Sequence, residues 1–219
     1  MLVRTEIGLQ HLILKENNNQ TSLTLSVGLN SISLSVYDLP NGELIKFDKS
    51  NFNNPLSIDN MLNELKDILS NNELDLKKFE NIKLLQQNNL SIIVPNELYS
   101  EKQKRTYLKY NTQIRDDDFI AVDNLNNLKI KNIYIPYINI NNYLVDIFKN
   151  IEYFHYDTEL LKKLYGIRRN EDFFVHVDNR QIKIIVFEND KLIFFNSYEI
   201  DNTTDIIYYV LLVLKEKKL

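Results

Sequence analysis

A repeated three-strand pattern is the feature of this sequence that most restricts its fold. The segment LTLSVGLNSISLSVYDLPNGELIKF, residues 23–47, recurs in altered form as FFVHVDNRQIKIIVFENDKLIFF, residues 173–195. Five positions correspond at one constant offset: Val27, Ile32, Leu34, Val36 and Tyr37 match Val177, Ile182, Ile184, Val186 and Phe187. Two related units in one chain predict two similar halves that face each other across a cleft.

Alternation of side chains predicts that the first unit forms three short strands, at about 23–27, 31–38 and 43–47. Apolar residues at 32, 34 and 36 are separated by serines, which is the pattern of a strand with one face in water. Ser57 is the predicted N-cap of a helix that ends near Leu69, because apolar residues then recur at helical spacing.

The middle of the chain predicts strands and helices in alternation. We expect strands at about 82–87, 90–94, 118–122, 131–136 and 151–156. Helices are expected at about 100–110, 140–149 and 158–166. Gly166 is the predicted C′ residue of the last of these helices. After the second unit, Asn202 is the predicted N-cap of a final helix and Asp205 lies in its first turn. Lysines 215, 217 and 218 lie at its C-terminal end. This order predicts a layered α/β fold.

Composition excludes several kinds of site. The 219 residues include no cysteine, so disulfides, zinc–thiolate sites and a thiol nucleophile are excluded. No apolar run approaches the roughly 20 residues of a membrane span, and the N-terminus lacks the apolar stretch of a signal peptide. We therefore expect no membrane insertion and a cytoplasmic location. The net charge of −4 gives no overall basic surface for nucleic acid.

The order of elements resembles the actin-like ATPase (ribonuclease H-like) fold of actin, sugar kinases and the seventy-kilodalton chaperones. Two segments also resemble a bacterial family called domain of unknown function 3822: IIVPNELYSEKQKRTYLKYN at 92–111 and KLIFFNSYEIDNTTDIIYYVLLVL at 191–214. The resemblance implies a duplicated βββα-βα-βα fold and no assigned activity. It implies an N-terminal segment at 1–20, a first half at 21–168 with an insertion around 81–122, and a second half at 169–219. We expect that second half to be incomplete, without its closing βα units.

The resemblance also implies where phosphates would bind. Nucleotide-binding members of this fold hold phosphates between two hairpin turns, where glycine allows close approach of backbone N–H groups and an aspartate before each turn organises Mg²⁺. Here Ser26 and His176 stand at the aspartate positions, and Gly28 and Asp178 stand at the glycine positions. The candidate remnants of the phosphate turns are Gly28, Asn30, Ser31, Asp178, Asn179 and Arg180. We expect no ATP hydrolysis and no cofactor, with Mg-ATP as the alternative.

Other polar residues give weaker patterns. The three histidines, His11, His155 and His176, are far apart in sequence and form no metal-binding motif. The run Asp116–Asp118 lacks the glycine and distal glutamate of a calcium loop, so an exposed acidic turn is the preferred interpretation. No nucleophile elbow is present, and we predict no catalytic residue.

Two predicted helix surfaces have alternative interpretations. Lys102, Arg105 and Lys109 share a helix face, which is either a patch for an acidic partner or RNA, or a solvated face opposite packed aromatic residues, the preferred interpretation. Tyr208 and Tyr209 begin an apolar helix, for which we expect core burial, with a partner interface as the alternative.

The leading functional hypothesis is a non-catalytic scaffold or adaptor that binds another protein and has lost the phosphate chemistry of its fold. The alternative is a nucleotide-binding switch or kinase-like enzyme that uses Gly28 and Asn30. A third hypothesis is an RNA-associated factor that uses the basic helix face. A nucleotide switch predicts an open polar cleft between residues 28–31 and 178–181, whereas a scaffold predicts that side chains fill it.

Overall fold

The computed structural model describes residues 21–72, 74, 79–148, 150–169, 171–178 and 180–217. The largest sheet contains five strands, in the order β3-β2-β1-β4-β8. Their bounds are β1 Thr21–Gly28, β2 Ser31–Asp38, β3 Leu44–Asn51, β4 Phe79–Gln87 and β8 Ile151–His155. The first three strands are antiparallel, β4 runs parallel to β1, and β8 runs parallel to β4.

Two smaller antiparallel sheets have three strands each. One has the order β5-β7-β6, formed by β5 Ser91–Pro95, β6 Ala121–Leu125 and β7 Ile130–Tyr134. The other has the order β11-β10-β9, formed by β9 Glu171–Asp178, β10 Gln181–Glu188 and β11 Lys191–Glu199. The helices are α1 Ile58–Asn71, α2 Lys104–Lys109, α3 Ile138–Ile147, α4 Tyr156–Ile167 and α5 Thr203–Lys217.

The repeat predicted from the sequence is confirmed in the strand pairing. Val27 pairs with Ile32 in the first unit, and Val177 pairs with Ile182 in the second. The next pairs on the same face also correspond, since Leu25 pairs with Leu34 and Val175 pairs with Ile184. Both units have a register shift at the equivalent place, after residue 36 in β2 and after residue 186 in β10. The two units therefore share pairing register as well as strand order.

The two predicted N-caps, Ser57 and Asn202, are confirmed, but one predicted helix end is wrong. The Ser57 side chain accepts a hydrogen bond from the Asn60 N–H, and the Asn202 side chain accepts from the backbone of Thr204. Gly166 is not at a C′ position, because α4 continues to Ile167. The Arg168 guanidinium donates to the carbonyl of Tyr165. A side chain thus satisfies this helix end, and no left-handed glycine is required.

Elements in the middle of the chain differ from the expected ones. Instead of one helix at 100–110, a 3₁₀ turn at Glu101–Gln103 precedes the short helix α2, and the Ser100 side chain makes no capping hydrogen bond. The strand expected at 118–122 is β6, but it begins at Ala121. Ile120 belongs to the preceding loop and is nevertheless buried, so its apolar side chain resembles part of the strand in the sequence. The separate small sheet is formed by strands between residues 91 and 134, whereas β4 belongs to the large sheet.

Helices cover both kinds of sheet. α1 and α3 pack on the large sheet through a core that includes Leu25, Leu65 and Leu144. On the β9–β11 sheet, one face packs against α4 and the small sheet through Ile185, and the other face packs against α5. At the C-terminal ends of β8 and β4, the His155 N–H bonds to Asp123 of β6 and Gln87 bonds to Asp178 of β9, so these ends lie close to both smaller sheets.

Candidate functional site

The first candidate phosphate turn is packed closely against β4. Gly28 ends β1 and pairs with Gln87. A Cβ atom at residue 28 would lie 3.2 Å from the Gln87 Cβ and 3.2 Å from its carbonyl oxygen, a separation tighter than ordinary packing allows. Among the described glycines, Gly42 has a positive φ and Gly28 does not. Strand packing therefore accounts for the glycine at position 28 without a phosphate.

The second candidate turn reaches across to the large sheet through Asp178. One carboxylate oxygen of Asp178 accepts from the Lys49 ammonium at 3.0 Å, and the other accepts from Gln87 Nε2 at 2.8 Å. Burial alone would raise the pKa of Asp178, but the hydrogen bonds from Gln87 and Lys49 outweigh it and hold that pKa below its usual value. Asp178, at the glycine position of the second turn, is thus bonded to β4, the strand that packs against Gly28 of the first turn.

The remaining turn residues are also engaged or exposed. The Asn30 carbonyl accepts from the Phe52 N–H at 2.8 Å, and Ser31 is buried. Arg180 pairs with Asp201 at the surface, and Asn179 lies outside the described residues. Gln181 donates to the Asn89 side chain at 2.8 Å, which is a further contact between the second turn and the end of β4.

A buried ion pair lies behind the turns. Lys183 of β10 is 1% exposed, and its ammonium pairs with the carboxylate of Asp157 at the start of α4, which is 3% exposed. A charge removed from water is costly unless a partner compensates it. Each residue of the pair therefore depends on the other, and the pair joins the β9–β11 sheet to α4.

His155 connects this ion pair to the end of β4 in one tautomer. Its Nε2 lies 3.1 Å from the carbonyl oxygen of Asn88, and its Nδ1 lies 3.2 Å from the backbone N–H of Asp157. Because a carbonyl only accepts, Nε2 carries the proton and Nδ1 accepts. Burial lowers the pKa of His155, the nearby Asp157 opposing this effect. The buried ring is accordingly neutral.

Asp123 extends the network into the small sheet. One carboxylate oxygen accepts from the His155 backbone at 2.9 Å and from the Thr158 hydroxyl at 2.7 Å, and the other accepts from the Tyr134 hydroxyl at 3.2 Å. Burial raises the pKa of Asp123 although all three hydrogen bonds oppose it. The network Lys183–Asp157–His155–Asp123 thus joins all three sheets, and we call it the buried polar network.

His176, at the second aspartate position, contacts an aromatic hydroxyl instead of open solvent. Its Nε2 lies 3.1 Å from the hydroxyl oxygen of Tyr156. Burial raises the pKa of Tyr156 to about 12 and lowers the pKa of His176. Both groups are therefore neutral near pH 7, and the imidazole tautomer decides which of them donates. Neither group provides the carboxylate that would organise Mg²⁺ at this position.

A polar cavity of about 490 Å³ lies beside the network, between the β4–β5 connection and β11. Its lining includes Asn88, Asp157, Phe195, Ser197 and Glu199. None of the described residues that line it is lysine or arginine. Phosphate recognition normally relies on such cations or on backbone N–H groups, so this cavity offers carboxylate and amide groups where a nucleotide would need positive charge.

The other polar residues predicted from the sequence are not brought together as a site. Within the part of the chain that the structure describes, no three His, Asp or Glu side chains meet as metal ligands; His11 lies outside that part. Asp118 accepts from the backbone N–H of Arg115, which closes the exposed acidic turn at Asp116–Asp118.

The predicted basic face is altered because residues 101–109 do not form one helix. Arg105 donates to the carbonyl oxygens of Arg115 and Asp118, at 2.6 and 2.9 Å. Its guanidinium therefore holds the neighbouring loop, while Lys102 and Lys109 are exposed. Tyr110, expected to pack, is exposed.

The expected burial of both tyrosines on the last helix is half correct. Tyr209 stacks on Tyr198 of β11, with ring centroids 4.2 Å apart. Tyr208 is exposed, together with Ile207 and Leu211 on the same side of α5. Because the sequence of α5 is apolar on several sides, it does not indicate which face of the helix packs on the β9–β11 sheet.

Sequence reasoning did not identify the buried polar network. One feature could have indicated it: Lys183 interrupts the apolar strand IKIIVF, at a position where every neighbour is buried. The other residues of the network lie on α4, β6 and β8, and only tertiary packing brings them together with Lys183.

Solved structures with the same arrangement define the fold class. A Bacteroides thetaiotaomicron protein with an actin-like ATPase fold and unknown function aligns with a TM-score of 0.78 and 21% identity, over 95% of this chain and 81% of that chain. The PilM-PilN type IV pilus biogenesis complex aligns with a TM-score of 0.54 and 9% identity, over 81% of this chain and 61% of that chain. The chain therefore has the actin-like ATPase fold. Within the described residues, no helix is long and apolar enough to cross a membrane.

The family follows from the sequence. The profile of the family "Protein of unknown function (DUF3822)" matches residues 12–219. The chain belongs to this family, as the resemblance of its 92–111 and 191–214 segments predicts. No protein with a curated description matches the sequence significantly.

Proposed function

We propose that this protein is a non-catalytic actin-like scaffold of the cytoplasm that binds another protein and no nucleotide. The observation that carries the proposal is the link that Gln87 of β4 makes between the two candidate phosphate turns. Asp178 of the second turn bonds to Gln87 at 2.8 Å, and Gln87 packs on Gly28 of the first turn. This contact supports the proposal that side chains occupy the position where a phosphate chain would lie between the turns.

The charges at this position support the same conclusion. A polyphosphate requires backbone N–H groups, cations or a bound Mg²⁺. Here the glycine position of the second turn carries the Asp178 carboxylate, and its nearest cation, Lys49, is already paired with it. Lys183 is buried against Asp157. A nucleotide at this position would have to separate Lys49 from Asp178 before that ammonium could contact a phosphate.

A protein partner is the second part of the proposal. PilM-PilN, which shares the fold, is a complex of two proteins by its description. An actin-like domain that binds no nucleotide still has rigid surfaces formed by its sheets and helices. A scaffold binds its protein partner through such surfaces.

Calorimetric titration with Mg-ATP tests the first part. We expect no saturable heat and no rise in melting temperature at millimolar ATP, from protein whose fold is checked by circular dichroism. A micromolar ligand at that concentration would stabilise the protein by about 4 kcal/mol, so a real site would not be missed. Saturable binding that is lost in Gln87→Glu and retained in the exposed, matched Gln113→Glu variant would overturn the proposal and support a nucleotide switch.

A further inference from the structure

The turn between β2 and β3 contains a reactive pair of residues, Asn41-Gly42, at the one place in the sequence where glycine follows asparagine. The backbone nitrogen after an asparagine can attack the side-chain amide, and glycine permits this attack most easily because it has no Cβ to obstruct the approach. Gly42 has a φ of +67°, a conformation that favours glycine. The turn therefore requires glycine at the position that makes Asn41 reactive. Both residues are exposed, so water reaches them.

Asp38 binds both of the groups that would react. Its backbone carbonyl accepts from the Gly42 N–H at 2.7 Å, and its carboxylate accepts from Nδ2 of Asn41 at 2.8 Å. The Asp38 N–H donates to the Glu43 carbonyl at 2.9 Å, which closes the turn. The Gly42 nitrogen attacks only after it has lost its proton. Its bond to the Asp38 carbonyl holds the N–H in place, and the Asp38 carboxylate opposes a second negative charge nearby.

We propose that Asn41 is a site of spontaneous deamidation in this protein and that Asp38 is the positioning residue that slows the reaction in the folded chain. The Gly42 nitrogen loses its proton and forms a bond to Cγ of Asn41. The Cγ–Nδ2 bond breaks, and the amide group leaves as ammonia with a proton. Water then opens the resulting cyclic imide at one of its two carbonyl carbons, which gives aspartate or isoaspartate. This inference is independent of the proposed function.

The asparagines that precede serine, the next smallest polar residue, are held in less reactive surroundings. Asn196 lies within β11 and pairs with Ile184 of β10, and ψ in such a strand is about +135°, which directs the following nitrogen away from the side-chain carbon. The Asn30 carbonyl accepts from the Phe52 N–H at 2.8 Å, and Ser31 after it is buried. Asn41 is therefore expected to react before either of them.

Deamidation would also weaken the turn that slows it. The Nδ2 donor of Asn41 is replaced by a carboxylate oxygen, which lies beside the Asp38 carboxylate and repels it. Isoaspartate in addition lengthens the main chain by one methylene group inside the turn. We therefore expect the Asp38 amide, which bonds to Glu43 across the turn, to exchange hydrogen faster in aged protein than in fresh protein.

The test is an incubation of the full chain at mildly alkaline pH, followed by peptide mapping with mass spectrometry and by enzymatic methylation of isoaspartate. Asn41 should gain the mass of deamidation first, and Asn41→Gln should remove this product. Asp38→Ala should speed the reaction about fivefold, the factor that one exposed hydrogen bond supplies. Asp38→Asn keeps an acceptor at the same place and should restore most of the protection. Asp146→Ala, at an exposed aspartate of α3, should leave the rate unchanged.

A parallel incubation in urea separates the fold from local chemistry. Unfolding removes the contacts of Asp38, so the native sequence and Asp38→Ala should react at equal, faster rates there. Earlier deamidation at Asn30 or Asn196 would overturn the inference. So would an Asp38→Ala rate equal to that of Asp146→Ala in folded protein, as checked by circular dichroism. A difference between the native sequence and Asp38→Ala that persists in urea would also overturn it, because the effect would then not come from the folded turn.

Discussion

Gln87 donates a hydrogen bond to Asp178 at 2.8 Å, and this contact joins the two hairpin turns between which nucleotide-binding actin-like proteins hold phosphates. Gln87 lies at the end of β4 and also sets the space available to Gly28. Asp178 receives a second bond from Lys49. Under the proposed function, these side chains occupy the place where nucleotide-binding members of the fold hold their ligand.

The Gln87–Asp178 contact should show measurable coupling in a double-mutant cycle. Hydrogen bonds to charged groups contribute about 1.5–3 kcal/mol, and both groups are partly buried. We expect Gln87→Ala and Asp178→Ala together to cost about 1–2 kcal/mol less than the sum of their separate effects on the free energy of unfolding. Urea denaturation of the four proteins measures this difference. Additive effects would show that the contact between the turns does not contribute to stability.

The buried ion pair makes a prediction about single and double variants. Lys183→Met leaves the Asp157 carboxylate buried without its partner, and such a loss costs about 3–5 kcal/mol. Lys183→Met combined with Asp157→Asn removes both charges, so we expect most of this stability to return. The midpoint of urea unfolding distinguishes the two. A double variant as unstable as the single one would mean that the ammonium is held by something other than its charge partner.

Gly28 and Gly166 offer a matched pair of substitutions. Gly28→Ala introduces a methyl group 3.2 Å from the Gln87 Cβ, and we expect a loss of about 1–3 kcal/mol from overpacking. Gly166→Ala meets no atom within 4 Å and lies in a helix, where alanine is favoured by about 0.5–1 kcal/mol. Opposite shifts in melting temperature are the expected outcome. A neutral Gly28→Ala would refute packing as the reason for this glycine.

Stability should fall in mild acid because of His155. Burial lowers its folded-state pKa, so the unfolded chain binds a proton more readily. The stabilising effect is complete above the unfolded value, near pH 6.5, and is lost as the pH falls from there toward the lower folded value. The slope reaches at most about 1.4 kcal/mol per pH unit for one proton. His155→Gln should reduce this slope between pH 6.5 and 5, measured by urea unfolding, and an unchanged slope would exclude His155 as its source.

The strands of the first unit could be predicted from the sequence because the alternation of apolar residues and serines in β2 reports local geometry. The constant offset between Val27 and Val177 then gave the repeat, and the resemblance gave the fold. Ile120 shows one limit of prediction from the sequence. It is buried although it lies in the loop before β6, and its apolar side chain led us to predict an earlier start for this strand. The buried polar network shows another, because Asp123, Asp157 and Lys183 meet only through the packing of separate elements.

The most direct test of the closed cleft is a titration of isotope-labelled protein with Mg-ATP, followed by the backbone amide resonances of residues 28–31 and 178–181. The account predicts that these resonances do not move at millimolar ATP, since Gln87 and Asp178 already occupy the space between the turns. Saturable shifts in both turns, with the rest of the spectrum unchanged, would show that nucleotide binds there and would contradict the account.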